Sequence, residues 1–373
     1  MLSILNDSNA INTLSSSPYF LNVKKVVKSC NLYIVKHCYK SDATNDVVRD
    51  CDGTILSYTP DTNTFRVVCF GGRMTKSIRT MSVTKEMLST NRTQEMIDGT
   101  MIRLYYLDGV WRTSTRGHTD AHKARWTTDK SYGQMWAECL ASYPEFSTHG
   151  LDKSNTYVFI IQHVGNPIIC PIQVNKIYLT DIYDNNTLSR VNNNNDYNSV
   201  KVDNPESILF NNTKELRTFT ELNDITVKGV ILYDTDTNER VVVLTQKYEE
   251  VNKTRDNWTR LMKEYVKSYI IWRYRNDHHL YLHYYPYCRD VVSYVAKTII
   301  TNTLFVHNLY MEKHVRKNQN TTLRLDDHDI KRILYKTHGY YLETGVIITK
   351  PILEHILVED ACYYGFRDFT KTH

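Results

Sequence analysis

Long apolar runs are absent from this 373-residue sequence, in which no stretch reaches the roughly 20 apolar residues that a transmembrane helix needs. The start, Met1 to Ser17, is polar and rich in Asn and Ser, and it lacks the basic and apolar regions of a signal peptide. The eight cysteines form no Cys-x-x-Cys pair, so neither a disulfide framework nor a zinc ribbon is indicated. We therefore expect no membrane association and no disulfides, and we place the protein in a reducing compartment such as the cytoplasm.

Net charge and glycine are also low. The formal charge of +5 does not by itself indicate a nucleic-acid partner, and there are only 13 glycines. Tyrosine is abundant at 28 residues, and asparagine is frequent. This composition is typical of AT-rich genomes, which points to a large DNA virus or an AT-rich microbe as the source.

The first two thirds of the chain read as strands separated by turns. The Asp108-Gly109 pair between two apolar segments is the strongest hairpin signal. Residues 191–206 read as a loop that contains a run of asparagines. The remaining patterns predict strands over residues 31–36, 53–58, 65–70, 101–107, 110–114, 157–162, 167–172, 227–233 and 240–244.

After Tyr248 the pattern changes to long segments without Gly or Pro, with apolar residues near helical spacing. We therefore predict an α+β fold in three parts. Residues 1–25 form a polar N-terminal segment, residues 26–250 form a body of antiparallel sheets with flanking helices, and residues 251–373 form an all-helical C-terminal domain.

The segment Glu95-Met96-Ile97-Asp98-Gly99-Thr100 resembles the Lys-x-Asp-Gly motif of covalent nucleotidyltransferases. In those enzymes the lysine amine attacks the α-phosphate of ATP or GTP and holds the nucleotide as a phosphoamide. Met96 occupies the lysine position here, and a thioether cannot make that attack.

Further segments follow in the order found in ATP-dependent RNA ligases of the phage RNA-ligase-1 type and their relatives in large DNA viruses. The chain resembles that family from about Asn31 to Tyr364. The similar segments are residues 48–56, the basic segment 70–76, residues 96–102, 111–121, 157–169, 227–232 and 240–255, and the string 282–286. The resemblance implies a nucleotidyltransferase body of antiparallel sheets followed by a helical domain.

The resemblance also exposes five further departures, besides Met96, from the pattern of an active ligase. Asp52 stands where an arginine is expected, and Ile160 stands at the position of a ribose-contacting glutamate. Lys228 stands at the position of a glutamate that helps to place a divalent metal. Val242 and Leu244 stand at the positions of two phosphate-gripping lysines, although a shift of two residues would align Lys247.

The family pattern therefore predicts no intact catalytic residue, no metal ligand and no cofactor. It does predict nucleotide-binding residues, some of which have structural alternatives. The Asp98-Gly99 pair also shapes a turn in this fold, and Arg116 fits a salt bridge at a strand end equally well. The predicted nucleotide-binding residues are Lys76, Asp98, Gly99, Arg116, Lys228 and Lys247.

A basic segment at the start of the helical region suggests RNA binding. It carries seven basic and two acidic residues, with tyrosines and a tryptophan interleaved, as in surfaces that track phosphates and stack bases. The alternative is a solvated helix face whose aromatic side chains pack on the body of the protein. The predicted RNA-binding residues are Lys253, Arg255, Arg260, Lys263, Lys267, Arg273 and Arg275.

Two other patterns are interpreted as structural. His279 and His283 have the i, i+4 spacing of metal ligands, but the sequence offers no third ligand at a suitable spacing. The acidic run over residues 326–329 is interpreted as the cap of a helix that begins near Ile330.

Three functions remain open from the sequence. The first is an inactive ligase-like protein that binds RNA, an RNA 5′ end or cap, or a nucleotide, as part of a larger, viral assembly. The second is a working ATP- and magnesium-dependent RNA ligase, seen here as a variant of its nucleophile. The third is a structural subunit whose cleft is filled by protein.

Overall fold

The structure is a computed structural model that describes residues 2–27, 31–125, 129–192, 194–234, 239–255, 262–285, 288–317 and 328–369. The side chains of residues 2, 26–27, 194–195, 254–255 and 262–264 are not part of this description. The chain divides into two compact units, Met1–Lys253 and Thr254–His373.

Three four-stranded sheets form the described part of the first unit. Their strand orders are β1-β2-β3-β4, β10-β9-β7-β8 and β5-β12-β11-β6, and every pairing is antiparallel except that of β5 with β12. The strands are β1 (Asn22–Val27), β2 (Leu32–Lys36), β3 (Ile55–Thr59), β4 (Thr64–Cys69), β5 (Lys76–Ser77), β6 (Asn91–Glu95), β7 (Thr100–Leu107), β8 (Val110–Ser114), β9 (Asn155–Gln162), β10 (Lys176–Asp184), β11 (Gly229–Asp234) and β12 (Arg240–Leu244).

Short helices flank these sheets. Helix α5 begins with a capping box, in which the Ser131 and Gln134 side chains each accept a hydrogen bond from the other residue's backbone N–H. The helices are α1 (Leu2–Leu5), α2 (Ala10–Ser15), α3 (Asp46–Cys51), α4 (Lys85–Thr90), α5 (Tyr132–Leu140), α6 (Asn194–Ser199), α7 (Thr213–Leu222) and α8 (Gln246–Arg255).

The predicted hairpin is present as β7 and β8. Its two turn residues, Asp108 and Gly109, have φ angles of 52° and 83°. Such turns require positive φ at both positions, which Asp tolerates and Gly adopts freely. The hairpin pairs β7 with β9 on its other edge, and the β7-β9-β10 face buries Ile102, Phe159 and Ile177 completely.

The N-terminal residues, predicted as a separate polar segment, instead contribute to the core. Leu5, Ala10 and Leu14 of α1 and α2 are completely buried and pack with Val35 and Leu56 of the first sheet. The apolar residues lie on one side of each short helix, so the abundant Asn and Ser residues are left on the outside. Overall polarity therefore hid an amphipathic pattern.

The described residues of the second unit form helices joined by short irregular segments, and they contain no strand. Its core forms between α11, α12 and α13, where Val306, Ile333 and Leu353 are almost completely buried. No helix within the described residues is both long and apolar enough to cross a membrane. The helices are α9 (Met262–Tyr274), α10 (Tyr281–Tyr284), α11 (Arg289–Tyr310), α12 (His328–Thr344) and α13 (Lys350–Tyr364), with a π-helical turn over Met311–Val315.

The predicted α+β class, with antiparallel sheets and a helical C-terminal region, is confirmed. One predicted strand is wrong, because residues 167–172 form an irregular segment. This segment contains two prolines, Pro167 and Pro171, and two of its backbone amides bind the Asp98 carboxylate instead of a strand partner. Strand β10 was not predicted, and α6 lies inside the predicted loop 191–206.

Candidate functional site

A cavity of about 230 Å³ lies in the first unit, at the position where the sequence predicts a nucleotide. Its walls come from β6, β7, β9, β10, β11 and β12 and from the segment after β4. The walls combine apolar side chains with five basic and three acidic residues. We call this space the central cavity.

The apolar part of the wall contains two of the positions that depart from the pattern of an active ligase. Met96 and Ile160 both line the cavity, together with Ile231 on β11. The Met96 backbone N–H donates to the Gly229 carbonyl oxygen at 2.9 Å, which extends the pairing of β6 with β11. Methionine therefore presents a thioether where the ligase pattern has its nucleophilic amine.

Asp98, two residues after Met96, is buried and held by four partners. One carboxylate oxygen accepts from Tyr248 Oη at 2.7 Å and lies 3.1 Å from Lys228 Nζ. The other oxygen accepts from the backbone amides of Ile169 and Cys170 at 2.8 and 2.9 Å. Burial opposes ionisation, but these partners together hold the pKa of Asp98 below its usual value.

Gly99 is required by a close approach of strands. A Cβ atom at this position would lie 2.4 Å from the Ile161 carbonyl oxygen and 2.7 Å from Ile160 Cγ2. Any side chain would therefore push β7 away from β9. The Asp98-Gly99 pair has a structural role that is independent of catalysis, which is the alternative that the sequence left open.

Arg116 lines the central cavity and is also paired with Asp52, which lines it too. Arg116 Nε donates to Asp52 Oδ2 at 2.5 Å, and His37 binds Asp52 Oδ1 through its backbone N–H and Nδ1, both at 2.8 Å. Burial opposes ionisation of Asp52, yet Arg116 and His37 hold its pKa below the usual value. The charge inversion at position 52 therefore neutralises a cationic group of the cavity.

Three arginines of the cavity wall were missed from the sequence: Arg103, Arg240 and Arg73, the last of which binds Asp50 and Glu239. Arg103, in the middle of β7, donates only to the carbonyl oxygens of Gly53 and Thr115 and has no acidic partner among the described residues. Its Nε atom also has no hydrogen-bond partner in the described part of the chain. Arg103 in β7 and Arg240 in β12 are each the single charged residue of an otherwise apolar strand. That pattern could have identified both arginines from the sequence.

The second missed arginine, Arg240, is buried at the start of β12 and shares one carboxylate with another arginine. Asp181 lies 3.2 Å from Arg240 Nη1 and 2.7 Å from Arg190 Nε. Two guanidinium groups on one carboxylate leave a surplus positive charge. Arg240 pairs across the sheet with Tyr233, and both line the cavity.

Four of the other predicted positions lie away from the cavity wall. Lys76 is exposed on the short strand β5, and Lys247 is half-exposed in α8, 3.1 Å from Glu250. Val242 and Leu244 lie on β12, and neither side chain lines the cavity. Of the six predicted nucleotide-binding residues, Gly99, Arg116 and Lys228 line the cavity, and Asp98 lies behind its wall.

The predicted RNA-binding segment is only partly described. Arg260 and the side chains of Arg255 and Lys263 lie outside the described residues. Lys253 lies 3.1 Å from Glu249, Arg273 is paired with Glu354, and Lys267 and Arg275 are exposed.

The aromatic side chains of that segment serve the helical core. Tyr269 and Trp272 are buried, and both contact the Tyr281 ring edge-on. Tyr274 is partly exposed and stacks on His355. The two buried rings therefore pack within the helical unit.

Two sequence patterns with possible metal ligands remain, around His279 and around Asp329. Within the described residues, no group of three His, Cys, Asp or Glu side chains could hold a metal ion. His279 lies in a short 3₁₀ turn and His283 in α10. Helix α12 begins at His328, and Asp329 binds Arg332 and Arg367. Asp326 and Asp327 lie outside the described residues.

The central cavity does not fit the magnesium ion that an active ligase would use. The ammonium of Lys228 stands where a metal-placing carboxylate is expected, and both oxygens of Asp98 are already engaged. The acidic residues of the wall are Asp52 and Asp181, which are paired with arginines, and Glu95. Burial and Glu206 raise the pKa of Glu95, so its environment disfavours the charged form that binds cations.

No family model matches this sequence. One curated relative is the immediate-early protein ICP-46 homolog of Invertebrate iridescent virus 6, which is 23% identical over 304 residues. The match spans 71% of this chain and 64% of the relative, so this chain corresponds to less than two thirds of that protein's length.

Two solved structures are similar to this chain, each with a TM-score below 0.5. An archaeal ATP-dependent RNA ligase is 9% identical with a TM-score of 0.49, and 80% of each chain is covered. A candidate ATP-dependent DNA ligase of Aquifex aeolicus is 13% identical with a TM-score of 0.47, over 83% of this chain and 81% of the other.

Proposed function

We propose that this protein is a catalytically inactive, RNA-ligase-like protein that binds the end of an RNA, or a nucleotide, in the central cavity. The observation that carries the proposal is the cavity itself. It combines a methionine at the nucleophile position with a surplus of two positive charges over the acidic residues of its wall.

The absence of transfer follows from the chemistry of the wall. Nucleotidyl transfer needs a nucleophile and positive groups that stabilise the charge developing on the phosphate. Met96 supplies no nucleophile, and the two positions expected to grip phosphate hold Val242 and Leu244. Loss of a single transition-state donor typically lowers the rate by about 10²–10³-fold. Combined loss of these groups leaves no route to transfer.

Binding of an anion is favoured by the arginines of the wall. Arg103 has no carboxylate partner among the described residues, and Arg240 shares Asp181 with Arg190. Positive charge in a partly enclosed space attracts anions more strongly than the same charge on an open surface. A phosphate group is the anion that guanidinium groups bind best, because their donors match its oxygens.

The size of the cavity favours the end of a chain over a large free ligand. Its volume of about 230 Å³ lies below the roughly 300–1,000 Å³ of sites that enclose a drug-sized molecule. A base or a terminal phosphate would enter while the rest of the ligand stays outside. An open cavity also speaks against a purely structural subunit whose cleft its own side chains fill.

In this proposal the protein works in a reducing compartment such as the cytoplasm. It acts there as a subunit of a viral assembly. No disulfide is formed by the seven described cysteines, which suits such a compartment. The viral origin of the curated relative suits that assembly. Its protein partners would be identified by purification of the assembly from infected cells.

The test is equilibrium binding of a 5′-phosphorylated RNA hexamer and of ATP to the full chain, by fluorescence anisotropy or calorimetry. We expect saturable binding in EDTA that changes less than about twofold when magnesium is added, because Asp52 and Asp181 are paired with arginines and Lys228 stands at the metal-placing position. Arg116→Gln should weaken binding about fivefold, equivalent to roughly 1 kcal/mol. Arg66→Gln, at an exposed position of β4, is the matched control. No binding of either ligand, or a strict magnesium requirement, would refute the proposal.

A further inference from the structure

Three basic side chains lie together outside the central cavity, and we call them the outer basic cluster: Lys24, Lys36 and His118. In the pairing of β1 with β2, Asn22 lies opposite Lys36 and Lys24 lies opposite Ile34. Because alternate residues of a strand share a face, Lys24 and Lys36 are diagonal neighbours on the same face of the first sheet.

His118 joins this cluster through the turn after β8. The Lys36 Nζ atom lies 3.3 Å from the position that a Cβ atom of Gly117 would occupy, directly beside His118. The turn itself is fixed by two backbone hydrogen bonds between Thr115 and His118. Lys36 is half-buried against this turn, while Lys24 and His118 are exposed.

The cluster has no compensating acid of its own. None of its three side chains forms an ion pair or hydrogen bond with another described residue. Burial and Lys24 lower the pKa of Lys36, and burial together with both lysines lowers the pKa of His118. The Asp52 carboxylate partly offsets this effect on the pKa of Lys36, but it is already bound by Arg116 and His37. The repulsion between like charges held together in this way is reduced when an anion binds.

The cluster is continuous with the central cavity. Arg116, which lines the cavity, directly precedes Gly117 and His118 in the chain. His37 directly follows Lys36 and contacts Asp52, another residue of the cavity wall. A ligand that leaves the cavity past Arg116 would therefore meet the outer basic cluster next.

An exposed aromatic ring follows in the same region of the chain. Tyr39 lies three residues after Lys36, and 92% of its surface is exposed. The Nζ atom of Lys40 lies 5.7 Å from the centre of this ring, so a basic group stands beside it. Exposed rings beside basic groups are the common means of stacking the bases of a single strand.

We propose that the outer basic cluster binds the phosphodiester backbone of a single-stranded RNA whose terminal group occupies the central cavity. This inference rests on the proposed function and names its ligand as an RNA strand, rather than a free nucleotide. Lys24, Lys36 and His118 contact successive phosphates, and Tyr39 stacks on a base. The small volume of the cavity requires that the rest of such a strand lie outside it.

The experiment compares a 5′-phosphorylated, single-stranded RNA 12-mer with ATP as ligands of the full chain. The test variant is Lys24→Gln/Lys36→Gln. The charge-matched control is Lys25→Gln/Lys153→Gln, since Lys25 occupies the next position of β1 and packs on the Tyr33 ring, and Lys153 packs on Tyr106. Circular dichroism and thermal melting verify the fold of both variants, and Lys24→Glu alone serves as a second test variant.

We expect the test variant to bind the 12-mer at least tenfold more weakly while its affinity for ATP changes less than twofold. The slope of log K against log salt should become shallower by about 1.4, because each phosphate contact with single-stranded RNA contributes roughly 0.7. The control should bind both ligands as the wild type does, and Tyr39→Ala should weaken the 12-mer alone.

Two results would overturn the inference, and they are distinguishable from failure of the proposed function. If ATP binds but the 12-mer binds equally well to wild type and test variant, the cluster is not an RNA site and the cavity function stands. If a DNA strand of the same sequence binds as tightly as RNA and depends equally on Lys24 and Lys36, the assignment to RNA is wrong. If wild type binds neither ATP nor the 12-mer, the proposed function itself fails.

Discussion

Replacing Lys228 with methionine tests how much the ion pair between Lys228 and Asp98 contributes to the stability of the first unit. The pair is buried, since the Asp98 side chain is 1% exposed and the Lys228 side chain is 17% exposed. Breaking a buried pair by removing one partner typically costs about 3–5 kcal/mol, because the other charge is left uncompensated. Asp98 would keep three other donors, so we expect the lower end, about 3 kcal/mol.

The assay is urea and thermal unfolding of wild type, Lys228→Met, Asp98→Asn and the double variant. A loss of about 3 kcal/mol should lower the melting temperature of the first unit by roughly 6–12 °C, given its size. The double variant should be less destabilised than the sum of the single variants, by about 1–3 kcal/mol, because it removes both charges together.

The dependence on pH has a definite sign. The folded pKa of Asp98 lies below its unfolded value, so its contribution is complete above about pH 4 and is lost as pH falls through the folded pKa. Removing Lys228 raises the folded pKa, and the loss should then begin at higher pH. A change below 0.5 kcal/mol in Lys228→Met, or strict additivity in the double variant, would refute this account of the pair.

Three further predictions concern the site and its frame. Asp52→Asn should release Arg116 and strengthen RNA binding about fivefold in anisotropy titrations, whereas unchanged or weaker binding would show that Asp52 does not restrain Arg116. Gly99→Ala should cost at least 1–3 kcal/mol in denaturant unfolding, because its Cβ would meet Ile161; a neutral effect would contradict the close approach. Two arginine partners lower the pKa of Glu239 to about 2, so stability should fall between about pH 4.5 and 2, and Glu239→Gln should remove that component from acid unfolding curves.

Local signals allowed much of the β-rich body to be predicted from the sequence. The hairpin of β7 and β8 follows from Asp108 and Gly109, whose backbone conformations few other residues adopt. Residues 167–172 were misread as a strand because their apolar composition reflects burial, while their amides serve the Asp98 carboxylate. That role depends on a residue about 70 positions away, which no local pattern reveals.

Met96 and Lys228 line the central cavity, but the arginines of its wall were not predicted. The ligase pattern expects lysines at the phosphate-binding positions, so it gives no indication of Arg73, Arg103 or Arg240. Arg103 and Arg240 are single charged residues within apolar strands, and such residues point inward only when the fold supplies carbonyl or carboxylate partners. For Arg240 that partner is Asp181, which lies on a strand that was not predicted.

The most direct test of the account is incubation of the full chain with ATP labelled at the α-phosphate, with magnesium, followed by denaturing electrophoresis. Wild type and Met96→Lys are compared, and binding of a 5′-phosphorylated RNA is measured on the same preparations. We predict RNA binding without any labelled covalent adduct in either protein, because restoring the amine leaves Lys228, Val242 and Leu244 unchanged. A labelled adduct on wild type, or its recovery in Met96→Lys, would contradict the claim that this cavity binds without transferring.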